Sequence, residues 1–157
     1  MKNTEAAFHW IIGILQKHAI PFQITGGFAA RVYGATRELA DIDFDIPEEG
    51  IEAIIPDVKP YIIYGPTQYK DAHWDLLLLT LSYEGQEIDM SGAYKGKQFD
   101  QTTGSWVAAP ADLSSPHMQE VYGVTVPVIP KERLISYKKR LGREVDREDV
   151  RSLEALS

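Results

Sequence analysis

Apolar residues recur at helical spacing over residues 4–19 (Phe8, Ile11, Ile12, Leu15), with Asn3 or Thr4 as cap and Pro21 as stop, so a helix is predicted there. Phe22–Thr25 reads as a short strand. Gly26-Gly27 breaks it, and Phe28–Tyr33 predicts a short helix ended by Gly34. Over Asp41–Ile46 acidic and apolar residues alternate one for one, which is strand periodicity. Glu48–Ile55 predicts a helix ended by Pro56, and residues 60–64 are weakly strand-like. Trp74–Tyr83 and Gln86–Ser91 predict a hairpin about Glu84-Gly85. Residues 92–120, rich in Gly, Ser, Thr and Pro, carry no clear period and read as a long irregular segment. Val124–Val128 is strand-like, and Pro130 opens a helix that runs to Leu141 and stops at Gly142. Asp146 is placed as the N-cap of a last helix, with Asp149 in its first turn. The mixture predicts an α+β fold, with α/β as the alternative: a small mixed sheet flanked by helices, in one domain over residues 1–157.

Composition narrows the chemistry. Cysteine is absent, which excludes disulfides, thiolate catalysis and Cys-ligated zinc. The longest apolar run, Leu76–Leu79, is far short of the roughly 20 residues that span a bilayer. No secretory leader is evident, so a cytoplasmic protein is expected. The net charge is -7, yet residues 131–157 hold 8 of the 16 basic residues and 6 of the 23 acidic ones. The acidic remainder argues against tight binding along a long nucleic acid. It is compatible with a small anionic ligand whose charge a metal ion neutralises.

Two stretches carry candidate chemistry. A strand entering Gly26-Gly27 and then a helix suits a phosphate cradle, because glycines admit a ligand close to backbone N–H groups. A tight strand-to-helix turn explains the pair equally well. In Asp41-Ile-Asp43-Phe-Asp45, strand alternation sends Ile42, Phe44 and Ile46 to the core and crowds three carboxylates on the other face. Crowded carboxylates raise one another's pKa unless a positive charge, such as magnesium, compensates them. A solvated acidic face is the plainer explanation. If Glu84-Gly85 is a two-residue turn, Tyr83 pairs with Gln86, Leu81 with Ile88 and Leu79 with Met90, so Glu87 and Asp89 share the opposite face with Ser82 and Thr80. Were this strand a neighbour of the first, Asp89 would join Asp41 and Asp43 in a cluster fit for one or two metal ions.

Gly26-Gly27, thirteen residues, then Asp41-Ile-Asp43-Phe resembles the signature of the nucleotidyltransferase superfamily related to DNA polymerase beta. Arg37-Glu-Leu-Ala-Asp41-Ile-Asp43 is similar to a motif of small members such as lincosamide nucleotidyltransferases and AbiEii-like toxins, with Leu39 where Thr is usual. Residues 134–150, from Leu134-Ile-Ser-Tyr-Lys138 to Gly142-Arg143-Glu-Val-Asp146-Arg-Glu-Asp149-Val, resemble a Lys/Arg/Asp pattern near the end of many such proteins. The resemblance covers roughly a third of the chain and implies a minimal nucleotidyltransferase fold. It further implies that Asp41 and Asp43 hold Mg2+ or Mn2+, that Asp89 completes the site as ligand or base, and that Gly26 and Gly27 meet nucleotide phosphates. The implied reaction moves a nucleoside monophosphate from a nucleoside triphosphate to an acceptor, a small molecule first of all, and releases pyrophosphate.

Arg37 lies four residues before Asp41 and is expected to pair with it or with a phosphate; the resemblance makes Lys138 a phosphate-facing cation. Arg143 could fix Asp146 or Asp149. An EF-hand reading of Asp41 to Glu52 founders on Ile46 where the loop needs Gly. An aspartyl-phosphate reading leaves Gly26-Gly27 unexplained. No histidine pair has metal-ligand spacing. A noncatalytic nucleotide- or partner-binding module, such as a toxin–antitoxin component, is the alternative to the enzyme. The small chain leaves little acceptor-binding surface, so a homodimer, a partner protein, or an acceptor pocket or lid from residues 92–120 is expected to supply it.

Overall fold

The alternation of residues 41–46 sets the middle of the sheet. In the computed structural model, which describes residues 1–156, Asp41–Ile46 is strand β2, with Ile42, Phe44 and Ile46 fully buried and the three aspartates half-buried. On one side β2 runs antiparallel to β1 (Gln23–Thr25), placing Thr25 opposite Asp43 and Gln23 opposite Asp45. On the other it runs parallel to β5 (Gln86–Gly92), placing Asp89 opposite Asp43. β4 (Trp74–Tyr83) and β5 form the expected hairpin, with Leu79, Leu81 and Tyr83 opposite Met90, Ile88 and Gln86.

The expected small sheet has nine strands among the described residues. Among the described residues β3 (Ile62–Lys70) pairs only with β4, so it is an edge, and register shifts on either side of Tyr64 leave room for Pro66. Residues 92–120 are not one irregular segment: they contain β6 (Lys97–Asp100), β7 (Ser105–Ala108) and β8 (His117–Val121). β6 takes up beside the start of β4 where β5 leaves off, β7 pairs with β6, and β8 pairs with β9 (Val124–Val128). Strands of four or five residues carry too little alternation to announce themselves, and their partners are set by tertiary pairing.

Helix α1 (Thr4–Lys17) is capped by the Asn3 side chain and buries Phe8, Ile11, Ile12 and Leu15 against the apolar face of the sheet. α2 (Gly26–Val32) starts at the glycine pair and adds Phe28, which meets Phe44 edge-to-face. α3 (Glu48–Val58) passes through Pro56 instead of ending there, because that residue is exposed in the last turn while Ile54 and Val58 continue the buried stripe. Each large apolar side chain so buried contributes about 1.5–3 kcal/mol. α4 (Lys131–Leu141) ends at Gly142 in the left-handed conformation and lies against β6 and the end of β1. α5 (Glu144–Ala155) packs on α4. Its N-cap is Arg143, not Asp146: Asp146 stands at the third helical position and accepts from the Arg143 backbone N–H at 3.2 Å. Asp149 lies a turn deeper. No helix among the described residues is long and apolar enough to cross a membrane.

Candidate active site

The acidic face of β2 and β5 opens into a cavity of about 440 Å³. Asp41, Asp43 and Asp89 line it, and each offers a carboxylate oxygen within 4.8 Å of the others. Parallel register puts like charges side by side, an arrangement that costs stability unless something positive enters. Burial, and then the charges of Asp41 and Asp89, hold the Asp43 carboxyl well above the usual carboxylate range; Lys138 opposes them. Burial and a hydrogen bond with Asp41 push Asp89 up to about 7, while Thr80 Oγ1 donates to Asp89 Oδ1 at 2.7 Å and pulls the other way. Thr80 was legible only as sharing the Asp89 face; its register opposite Asp89 makes it a partner. Three hard oxygen donors at this separation fit a magnesium or manganese ion.

Gly26 has φ of 62° and sits beside the trio. A Cβ there would press into the Asp43 carboxylate, 2.8 Å from its Cγ, so glycine leaves the acid open. A Cβ on Gly27 would lie 2.8 Å from an Arg37 guanidinium nitrogen. Arg37 does not pair with Asp41. The segment between α2 and β2 is not helical, so four-residue spacing does not bring the two together. Its guanidinium instead makes a fork with Asp149, Nε and Nη2 each donating at 2.9 Å.

Lys138, expected to face phosphate, is 2% exposed and lies 3.0 Å from Asp149 and 3.5 Å from Asp146. Burial would lower its pKa, but the phenol oxygen of Tyr137 and these carboxylates outweigh it. Burial would likewise raise Asp149, yet Arg37 and Lys138 hold it below its ordinary value. Arg143 closes on Asp146 at 2.6 Å. Arg37, Lys138 and Arg143 all line the cavity. The pairing of Arg143 with Asp146 is one of the two expected for that arginine; the cap and first-turn roles expected of Asp146 and Asp149 missed the rest of the network, the links to Arg37 and Lys138.

The other cavity wall comes from β4 and from residues 92–111, including Leu76, Leu78, Ala93 and Ala111. Residues of this segment thus line the cavity, from strands and their connections. The cavity also reaches Asp45 and Gln23, and no pattern in the sequence pointed to Gln23.

A family profile described as aminoglycoside-2''-adenylyltransferase matches residues 7–153. No curated protein matches the chain. Among solved structures, a Thermotoga maritima protein assigned as a nucleotidyltransferase aligns with a TM-score of 0.74 at 21% identity, covering 100% of this chain and 97% of that one. The lincosamide antibiotic adenylyltransferase LnuA, solved with lincomycin, gives 0.62 at 15% identity over 100% of both chains. ANT(2'')-Ia, solved with adenylyl-2''-tobramycin, gives 0.60 at 19% identity over 98% of this chain and 89% of that one. At these identities the likeness is one of fold.

Proposed function

The chain belongs to the aminoglycoside-2''-adenylyltransferase family of nucleotidyltransferases, and we propose that it transfers an adenylyl group from ATP to a hydroxyl of a small molecule, with release of pyrophosphate. The observation that carries this reading is the meeting of Asp41, Asp43 and Asp89 within 4.8 Å at the wall of a cavity shared with Gly26 and Gly27. In this reading Asp41, Asp43 and Asp89 hold a divalent ion, which when bound neutralises phosphate charge and polarises the reacting phosphorus. Gly26 and Gly27 give the triphosphate a path to the acids unobstructed by side chains. Arg37, Lys138 and Arg143 face the same cavity and offset phosphate charge.

Asp89 takes the acceptor proton. Thr80 Oγ1 fixes its orientation at 2.7 Å, and its place in the trio sets it beside the reacting groups. As the acceptor oxygen bonds to the α-phosphorus, the bond to the β-phosphate oxygen breaks and pyrophosphate leaves. The protein's contribution is chiefly positioning and charge compensation.

The test is thermal unfolding with each nucleoside triphosphate, with and without magnesium or manganese, beside pyrophosphate release in the presence of candidate hydroxyl acceptors. ATP at about 100 times its Kd stabilises by roughly 2.7 kcal/mol, a shift of roughly 5 °C or more at this chain length. The shift is expected to need the metal and to vanish in Asp43→Asn. Tight ATP binding without turnover on any acceptor would support a noncatalytic binding module instead.

A further inference from the structure

Asp149 is 1% exposed and does not line the cavity, so a ligand held there does not reach it. Its carboxylate bears on the cavity through Arg37. The fork from Arg37 occupies one edge of the guanidinium, the one that carries Nε and Nη2. The other edge, with both N–H groups of Nη1 and the second of Nη2, makes no hydrogen bond among the described residues. Nη2 lies 2.8 Å from where a Cβ on Gly27 would stand, so this open edge begins beside the glycine pair. Two parallel N–H groups on one planar edge match two oxygens of a phosphate. The backbone that carries Arg37 is pinned as well. Arg31 Nη1 donates to the Arg37 carbonyl at 2.9 Å, Gln86 Nε2 to that of Ala40 at 3.1 Å, and Lys2 Nζ to that of Leu39. An unheld arginine loses rotamer freedom when a ligand orders it, and that loss weakens binding. Here the fork fixes the side chain before any ligand arrives.

Charge decides whether the fork aims Arg37 or only neutralises it. Asp149 also meets Lys138 at 3.0 Å, and Asp146 meets Lys138 at 3.5 Å and Arg143 at 2.6 Å. Three cations face two acids, so one positive charge of the cluster is left over at the cavity wall. We propose that Asp149 is a positioning residue: from α5, without touching substrate, it holds the Arg37 guanidinium beside Gly27 so that the free edge takes the triphosphate. This rests on the nucleotidyl-transfer reading above and adds to it a residue that acts through another. A lysine at position 37 would carry the charge but not two edges, and so could not serve the acid and the phosphate in one fixed pose.

The experiment measures the Kd for ATP with magnesium by calorimetry, in the full chain, at a temperature where circular dichroism shows every variant folded. Arg37→Ala and Asp149→Asn are each expected to raise Kd by roughly tenfold or more, the size of one hydrogen bond to a charged group. The double variant is expected to bind ATP about as well as Arg37→Ala alone, because Asp149 has nothing left to position. A residue that only held the fold together would add its own loss in the double variant, and additive effects overturn the proposal. So does tighter ATP binding by Asp149→Asn, which would mean that the acid withholds the arginine from phosphate. Should Asp149→Asn fail to fold, Arg37→Lys decides: it is expected to lose as much affinity as Arg37→Ala, and wild-type affinity there overturns the proposal. No ATP binding by the wild-type protein would instead sink the nucleotidyl-transfer reading itself, and the proposal with it.

Discussion

Two groups of aspartates lie within a few residues of the same cavity and are treated oppositely. Asp146 and Asp149, at most 1% exposed, are met by Arg37, Lys138 and Arg143 at 2.6–3.5 Å. Asp41, Asp43 and Asp89 are crowded within 4.8 Å of one another and form no ion pair among the described residues. The first group is more than compensated, two acids by three cations, and joins α4 and α5 to the segment before β2. The second keeps its repulsion uncompensated, which is what the proposed reading requires of it: stability given up so that a ligand can supply the missing charge. Lys138 belongs to the first group and faces the second, acting on Asp43 through space.

Substitutions should separate the two groups sharply. Asp43→Asn is expected to lower kcat by roughly a hundred- to a thousandfold, the range for losing one pre-organised electrostatic contact. Its unfolding midpoint without metal should stay level or rise, because a repelling charge is gone; a drop of several degrees would mean that the trio is structural. Asp149→Asn should do the reverse. It leaves Arg37 and buried Lys138 short of a counter-charge and is expected to cost about 3–5 kcal/mol, seen as a fall of roughly 10 °C in melting temperature. An unchanged melting temperature would show that the cluster does not hold α5 in place.

A pH series in chelator sharpens the contrast. Asp89 titrates about 7 in the folded protein, far above an ordinary carboxylate, so the folded state keeps a proton that the unfolded chain has already lost. Stability should therefore be full at about pH 4 and fall by a few degrees of melting temperature toward about pH 7. Saturating magnesium should flatten that decline, since the ion supplies the missing charge. Asp149 runs the other way: its carboxyl is held low, so its contribution persists above the ordinary carboxylate range and is lost only as pH falls through its own depressed value.

The smallest expected effect is that of Thr80→Val. Removing the 2.7 Å hydrogen bond raises Asp89 further, so the acid limb of the kcat/KM profile should move to higher pH with a loss of only several-fold at its plateau. A profile that does not move would remove Asp89 from the role of base.

Local chemistry alone decided a good deal here. The alternation in Asp41–Ile46 dictates which residues go inward and which acids share a face, because strand side chains repeat every two residues. The Glu84-Gly85 turn dictates the hairpin register, so the side on which Asp89 lies was readable from spacing. Helices α1 and α4 follow from apolar spacing and their stops, and the Gly26-Gly27 to Asp41-x-Asp43 interval was legible as a family signature. Tertiary structure decided what lies between distant segments. Only the parallel pairing of β2 with β5 sets Asp89 opposite Asp43, and only strand pairing organises residues 97–121. Only the packing of α5 carries Asp149 to Arg37, 112 residues away, and withholds Arg37 from Asp41. Spacing along a chain reports a residue's own helix or strand; the partner of a buried charge is chosen by whichever opposite charge the folded chain brings within reach, because leaving it unmatched costs more than any local preference returns.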